Sequence, residues 1–158
     1  MPLQSDNIAG DSDPDQRWLG TEVSSLLPLA WEEVQRHRWI ESEKAKRDLG
    51  RAAEADWINR YWLPFCRLRR IEHIEGVRCW FEFSRDDFAK MTRRILENDS
   101  LAMTILEMMK RGHRPVIENL EVMLWALDEG LPMEQVREIL ESIHINVARL
   151  DPPVEWVR

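Results

Sequence analysis

The polar residues that could do chemistry lie in two neighbouring segments of this 158-residue chain, residues 37–50 and 69–73. In the first segment, an apolar helical stripe begins at Trp31 and ends at Leu49, and polar residues interrupt its middle turn when successive residues are placed about 100° apart. Because burying polar groups without partners is costly, these side chains need partners if the stripe faces the core. The polar residues that continue the stripe are Arg38, Glu41 and Ser42, with His37 at its margin.

The second segment carries the same residue types. By the same helical arithmetic, the aromatic face of the next helix continues into Arg69, Glu72 and His73. Two such helices could share a polar network, in which one expected pair is Arg38 with Glu72. The other expected pair is Arg69 with Glu41. One interpretation is a polar cleft between the two helices that binds a small ligand or acts as an acid/base enzyme site. The alternative is a structural network of ion pairs, or helix ends facing solvent, which perturbs titration without catalysis.

Aromatic and arginine side chains around these segments favour a different function. Tryptophan, tyrosine and arginine dominate the energetics of protein interfaces, and eight tryptophans are many for one core of this size. The sequence therefore favours a non-catalytic interaction or adaptor module that binds a protein partner, and it leaves homo-oligomerisation open. The candidate interaction surface consists of Trp39, Trp57, Tyr61, Arg67 and Arg70.

Sites for nucleic acid, metals and cofactors are less favoured. Arg67, Arg69 and Arg70 lie near aromatic residues and could bind single-stranded nucleic acid, but 22 basic against 29 acidic residues give a net charge of −7. The histidines and glutamates lack the Glu-x-x-His and His-Glu-x-x-His spacings of helical metal sites. No phosphate loop, dinucleotide fingerprint or nucleophile elbow occurs. We therefore expect no metal and no cofactor, and the balance favours a protein that is not an enzyme.

The resemblance to known proteins lies in one long string and its continuation. The string is His37-x-Trp39-Ile40-x-Ser42-Glu43-Lys44-Ala45-x-Arg47-Asp48-Leu49-Gly50, followed by Trp57, Tyr61, His73-Ile74-Glu75-Gly76 and Trp80-Phe81-Glu82. Over residues 31–90 the chain resembles a group of small bacterial proteins with a tryptophan-rich helical start. The resemblance implies a bacterial origin and no known activity, so it assigns no functional residue.

The elements that must position these residues are helical. We expect an all-α or nearly all-α single domain of about six helices over residues 28–150, with an acidic flexible arm at 1–27 and a short tail at 151–158. Residues 77–83 are rich in strand formers and are expected to be extended. Pro64 is expected to kink or split the second helix.

Local signals place the later helices. Residues 84–87 resemble a capping box that opens a helix, and Asp99 or Ser100 caps the next one. Pro115 is a plausible first residue of a helix that is apolar around most of its circumference, which predicts a central position. Pro132 begins the last long helix.

The composition indicates the compartment and the class. With 44% hydrophobic and 32% charged residues, a chain of this length can bury a core without metals or disulfides. No apolar run of about 18 residues could cross a bilayer, and the start does not resemble a signal peptide, so we expect a cytoplasmic protein without membrane contact. Cys66 and Cys79 fit neither a disulfide framework nor a zinc ribbon, and we expect two reduced, buried thiols.

Overall fold

The computed structural model describes residues 21–111 and 118–158, and these ranges form a mostly helical fold. The expected class, a nearly all-α single domain, is confirmed. The described residues contain seven α-helices, and two turns of 3₁₀ helix lie at Arg85–Asp87 and Ile145–Ala148. In chain order, the strands and α-helices are β1 (Val23–Ser24), α1 (Leu26–Ala45), α2 (Gly50–Ile74), β2 (Cys79–Trp80), α3 (Thr92–Leu96), α4 (Ser100–Lys110), α5 (Asn119–Asp128), α6 (Met133–Ile143) and α7 (Val154–Val157).

Helices α1 and α2 form an antiparallel hairpin. The first helix begins at Leu26 because the Ser25 side chain caps it, accepting a hydrogen bond from the Leu27 amide at 3.2 Å. It ends at Ala45, and Lys46 follows in the left-handed conformation with φ of 57°. With so short a connection, the second half of α1 must lie against the first half of α2.

Helix α2 is the central element of the fold. It has 25 residues and contains Pro64, and it is not split there, contrary to one of the two expectations for that residue. Two hydrophobic clusters meet along it. The first, with α1, contains Leu26, Ala30, Val34, Trp57, Ile58, Trp62, Cys66, Trp80, Phe83 and Ala148. The second, with α4, α5 and α6, contains Ile71, Ile74, Met91, Ala102, Ile105, Leu106, Met109, Val122, Ala126, Val136, Ile139, Leu140, Ile143 and Ile145.

The extended segment expected at residues 77–83 is present over two residues and has an unexpected partner. Cys79 and Trp80 pair in parallel with Val23 and Ser24. Strand β1 and the first two residues of α1, Leu26 and Leu27, lie within residues 1–27, which the sequence assigned to a flexible arm. The described end of that segment is therefore part of the fold, whereas residues 1–20 of the expected arm lie outside the described residues.

The prediction that a helix starts at the capping box at residues 84–87 is wrong. Ser84 makes no side-chain capping bond, the backbone forms a 3₁₀ turn, and α3 begins only at Thr92. The physical reason is competition for the carboxylate. Asp87 accepts a hydrogen bond from Arg70 Nη1 at 2.9 Å instead of one from a backbone amide at a helix start. The next cap is confirmed, because Asp99 accepts a hydrogen bond from the Ala102 amide at 3.1 Å.

Helix α5 is not central, contrary to expectation. Its apolar residues do surround it, but Leu120, Leu124 and Leu127 are each more than half exposed, and α5 packs chiefly against α6. The expected start of this helix at Pro115 lies outside the described residues. Helix α6 follows Pro132 and buries one apolar stripe, as expected.

The chain end folds back onto the hairpin. Residues 151–158 were expected as a tail, yet they include α7, and the Trp156 ring packs against Trp31 at 4.9 Å and Trp62 at 5.8 Å between centroids. Trp62 also donates its indole N–H to the Leu150 carbonyl at 2.6 Å. These contacts hold the C-terminal segment against α1 and α2. Within residues 21–111 and 118–158, no helix has both the length and the hydropathy that a bilayer span requires.

Candidate functional site

The motif at the end of the hairpin builds the turn itself. Arg38 donates two hydrogen bonds to the Asp48 carboxylate, at 3.0 and 2.7 Å, and Asp48 also accepts one from the Gly50 amide at 2.9 Å. Ser42 Oγ accepts a bond from the Leu49 amide at 3.0 Å. The bonds from Arg38, and then that from Gly50, lower the pKa of Asp48 to about 2. These residues fix the connection between the helices, and their polarity is explained by that structural role.

The two ion pairs predicted between the hairpin helices are wrong. Arg38 instead bonds Asp48 and Glu54, the latter at 2.9 Å. Glu41 pairs with Lys44 on its own helix at 2.7 Å. The physical reason is register: in an antiparallel hairpin with a short connection, the end of α1 faces the beginning of α2, so Arg38 meets Glu54 and cannot reach Glu72 near the far end.

Arg69, Glu72 and His73 also find local partners. Arg69 pairs with Glu72 at 3.1 Å, and Glu72 accepts a hydrogen bond from the Trp80 indole N–H at 3.1 Å. His73 is fully buried; its Nδ1 accepts a hydrogen bond from the Trp80 amide at 3.0 Å, and its Nε2 donates one to the Ser84 carbonyl at 2.8 Å. Burial lowers the pKa of His73, which favours the neutral ring that this pair of bonds requires. These three residues hold the segment after α2 in place.

Arg70 does not belong to a surface. Its side chain is fully buried, with Nε donating to the Ile143 carbonyl at 3.1 Å and Nη1 donating to Asp87. Its guanidinium also lies 5.6 Å from the centroid of the Phe83 ring. Arg70 therefore links α2 to the 3₁₀ turn before α3 and to the end of α6, and it cannot contact a partner or a nucleic-acid phosphate in this fold.

An open groove of about 490 Å³ lies between α1, α2 and the end of α4. Its apolar part is formed by aliphatic and aromatic side chains of all three helices, namely Leu29, Ile40, Trp57, Tyr61, Pro64, Phe65, Leu68 and Met109. Its polar part is mostly cationic, with Arg36, Arg67, Arg69, Lys110 and Arg111 beside a single carboxylate, Glu33, and His37. A volume of this size falls in the range of binding pockets for small molecules and short peptide segments.

His37 is the one predicted histidine that lies at this groove. Its Nε2 lies 2.8 Å from Asp56 Oδ2, and its ring contacts the edge of Tyr61 with centroids 5.7 Å apart. The contact fixes the orientation of both rings. Tyr61 is 43% exposed and also lines the groove.

Arg67 lines the groove in an unusual state. Its side chain is 2% exposed, and one nitrogen, Nη2, donates to both oxygens of Glu118 at 3.0 and 3.1 Å. Its other two nitrogens, Nε and Nη1, are buried and have no hydrogen-bond partner among residues 21–111 and 118–158. Such unpaired donors are rare in folded proteins, and each one calls for an explanation.

Arg69 is the second arginine of α2 that lines the groove. Its guanidinium lies 4.9 Å from the centroid of Phe65, and its Nε is likewise buried with no hydrogen-bond partner in the described part of the chain. The groove thus combines apolar side chains with two arginines that each retain unused donors.

Trp39 lies apart from this groove. It is 66% exposed and borders a separate depression of about 630 Å³ at the hairpin end, together with Arg38, Ser42 and Asp48. The predicted residues are therefore divided among three places. The groove brings together His37, Trp57, Tyr61, Arg67 and Arg69; the hairpin end holds Arg38, Trp39, Glu41 and Ser42; the packed segment after α2 holds Arg70, Glu72 and His73.

Sequence reasoning missed the groove residues of α4 and of the outer face of α1. Met109, Lys110 and Arg111 are far from the hairpin in sequence, and only the packing of α4 on α2 brings them to it. The one local signal was the basic pair at positions 110–111. Within the described ranges, no group of three or more His, Cys, Asp or Glu side chains is arranged to hold a metal ion.

Comparison with known proteins adds no family and no relative: no family model, no curated protein and no solved structure matches this chain.

Proposed function

We propose that this protein is a non-catalytic interaction module, and that the groove between α1, α2 and α4 binds a segment of a partner protein. The observation that carries this proposal is the exposure of large apolar side chains at one concave site. Ile40, Tyr61 and Leu68 are 37%, 43% and 39% exposed, and they line the same groove. Clustered apolar groups in a groove with a polar rim are typical of binding sites for partner proteins.

The energetics favour a segment with more than one apolar side chain. Burying one Leu- or Phe-sized side chain contributes about 1.5–3 kcal/mol, whereas a micromolar dissociation constant requires about 8 kcal/mol. The rings of Trp57 and Phe65 lie behind Tyr61, at 6.3 Å from Tyr61 to Trp57 and 5.8 Å from Trp57 to Phe65. Such a packed aromatic row is preorganised, so little conformational entropy is lost when a partner binds.

The alternative, an acid/base or ligand site formed by the polar residues of the first two helices, has weaker support. Arg38, Glu41 and Ser42 are engaged at the hairpin end, and His73 is buried with both ring nitrogens bonded. Only His37 and Arg69 of that predicted set line the groove. A proton-transfer site needs several titratable groups directed at one reacting atom, which this arrangement does not supply.

Selection of random short peptides on the immobilised protein tests the proposal. Peptides with aromatic or aliphatic side chains are expected to be enriched, and their binding is expected to be lost in the Leu68→Glu variant, which places a charge in the groove. The matched control is Leu124→Glu, a change of the same type at an exposed leucine of α5 outside the groove. Enrichment that both variants retain, or no enrichment at all, would refute the proposal.

We further propose that the module acts in the cytoplasm. Cys66 and Cys79 are both buried and free, which suits a reducing compartment. Burial also raises the pKa of the Cys66 thiol to about 12, so the thiol is inert at neutral pH. Fractionation of cells that express a tagged chain tests this location, with recovery in a membrane or extracellular fraction as the contrary result.

A further inference from the structure

We infer that the partner segment is acidic and that one of its carboxylates binds Arg67 at the base of the groove. This inference rests on the proposed function, because it names the chemistry of the segment that the groove receives. It goes beyond that function by assigning the residue that determines specificity.

The charge of the groove is the first observation. The groove is lined by five cationic side chains and by a single carboxylate, although the whole chain has a net charge of −7. Carboxylates partly compensate this charge, since four of the five cations have an acidic partner: Arg36 with Glu33, Arg67 with Glu118, Arg69 with Glu72, and Lys110 with Glu75 at 2.6 Å. Arg111 has no ion pair within the described ranges. The groove therefore attracts an anionic ligand more than the rest of this surface does.

The unused donors of these two arginines of α2 are the second, independent observation. Glu118 occupies only Nη2 of Arg67, so Nε and Nη1 stay without partners among the described residues, as does Nε of Arg69. Buried N–H groups without acceptors are unfavourable. Because a guanidinium has only donors, its partner must supply hydrogen-bond acceptors. A carboxylate has only acceptors and forms charge-assisted hydrogen bonds with arginine. It is therefore the group that matches these donors.

The apolar part of the groove restricts the anion to one attached to large apolar groups. Leu68 lies between Arg67 and Arg69 in the sequence, Phe65 lies one helical turn before Arg69 on α2, and all four line the groove. A ligand that satisfies both features places an aspartate or glutamate next to leucine or aromatic residues. A protein segment offers this combination, whereas an isolated phosphate or a uniformly charged polymer leaves the apolar part of the groove uncovered.

A double-mutant cycle between the protein and a selected peptide tests the inference. Each Asp or Glu of the peptide is replaced in turn by Asn or Gln, and affinities are measured by fluorescence anisotropy on the wild type and on Arg67→Gln. One replacement is expected to weaken binding to the wild type by about thirtyfold or more and binding to Arg67→Gln by much less, as for a buried charge pair. Arg137→Gln is the control, since Arg137 lies on α6 outside the groove with 59% of its side chain exposed.

The outcomes separate the two proposals. One outcome would overturn the inference and leave the proposed function in place. In that outcome, peptides bind the wild type, fail to bind Leu68→Glu, and tolerate every Asp→Asn or Glu→Gln change. If Arg67→Gln does not fold, the peptide replacements on the wild type decide the question, because they leave the protein unchanged. A synthetic peptide of residues 1–20, which includes Asp15 and Trp18, is measured in parallel; if it displaces the selected peptides at lower concentration, the groove belongs to this chain itself and the assignment to a partner is overturned.

Discussion

The buried ring of His73 makes the free energy of unfolding of this protein decrease as the pH falls below about 6.5. The ring is fully buried, accepts the Trp80 amide at Nδ1 and donates to the Ser84 carbonyl from Nε2. Protonation would place a proton on Nδ1 facing the Trp80 N–H, close to the positive charges of Arg70 and Lys90. The folded state therefore holds the ring neutral, with its pKa below the ordinary value of 6.5.

The sign and size of the effect follow from this depressed pKa. Below pH 6.5 the unfolded chain binds a proton at this histidine and the folded chain does not, so the free energy of unfolding decreases as the pH falls. One such group contributes a slope of at most about 1.4 kcal/mol per pH unit, and the slope begins as the pH falls through the ordinary value of 6.5. The pKa of Asp87 is also lowered. Protonation of an aspartate reduces stability only below the ordinary aspartate pKa of 3.8, so it does not affect this range of pH.

Urea unfolding from about pH 5 to about pH 8, followed by tryptophan fluorescence, measures this dependence. The His73→Gln variant, whose amide can accept from Trp80 and donate to Ser84, is expected to lose most of the slope even if it is less stable. The control is His144→Gln, the same substitution at an exposed histidine. An equal slope in His73→Gln and the wild type, or an NMR titration of the His73 ring at or above pH 6.5, would refute the reasoning.

Three further changes test the packing of the fold by the same unfolding measurement. Gly76→Ala is expected to cost about 2–5 kcal/mol, because φ is +77° and the new Cβ would lie 2.9 Å from Ala89 Cβ; a loss below about 1 kcal/mol would mean that this turn adjusts freely. Asp99→Ala removes the cap of α4 and should cost about 1 kcal/mol, with Asp99→Asn restoring most of it. Trp156→Ala should cost about 2–3 kcal/mol, since its ring packs on Trp62 and is only partly buried; no change would show that the C-terminal segment does not stabilise the hairpin.

Local features of the sequence were sufficient for several helices. Asp99 caps α4, Pro132 precedes α6, and the apolar stripe of α6 is buried as its spacing predicts. These predictions succeed because a cap or a stripe involves residues within one or two turns. The capping box at Ser84 fails because a distant residue, Arg70, competes for the Asp87 carboxylate.

The polar residues of α1 and α2 show what residue spacing along a helix cannot predict, namely the partner of each side chain. The spacing correctly indicated that Arg38 and Arg69 turn towards other protein groups, but the choice of partners was wrong. Spacing along one helix gives the direction of a side chain and not the register of the helix that faces it. That register is set by the short connection after Lys46, which makes Arg38 meet Glu54.

What the sequence alone determined is therefore the helical class, several helix ends, and the presence of aromatic and cationic side chains on the first two helices. The tertiary structure decided which of those side chains share a site. Helix α2 is packed on several sides, so Arg67, Arg70 and His73 are buried, whereas α5 is packed chiefly on one side and leaves Leu120, Leu124 and Leu127 exposed. The groove exists because α4 ends beside α2, and no pattern within a single helix encodes how many neighbours surround it or where a distant helix ends.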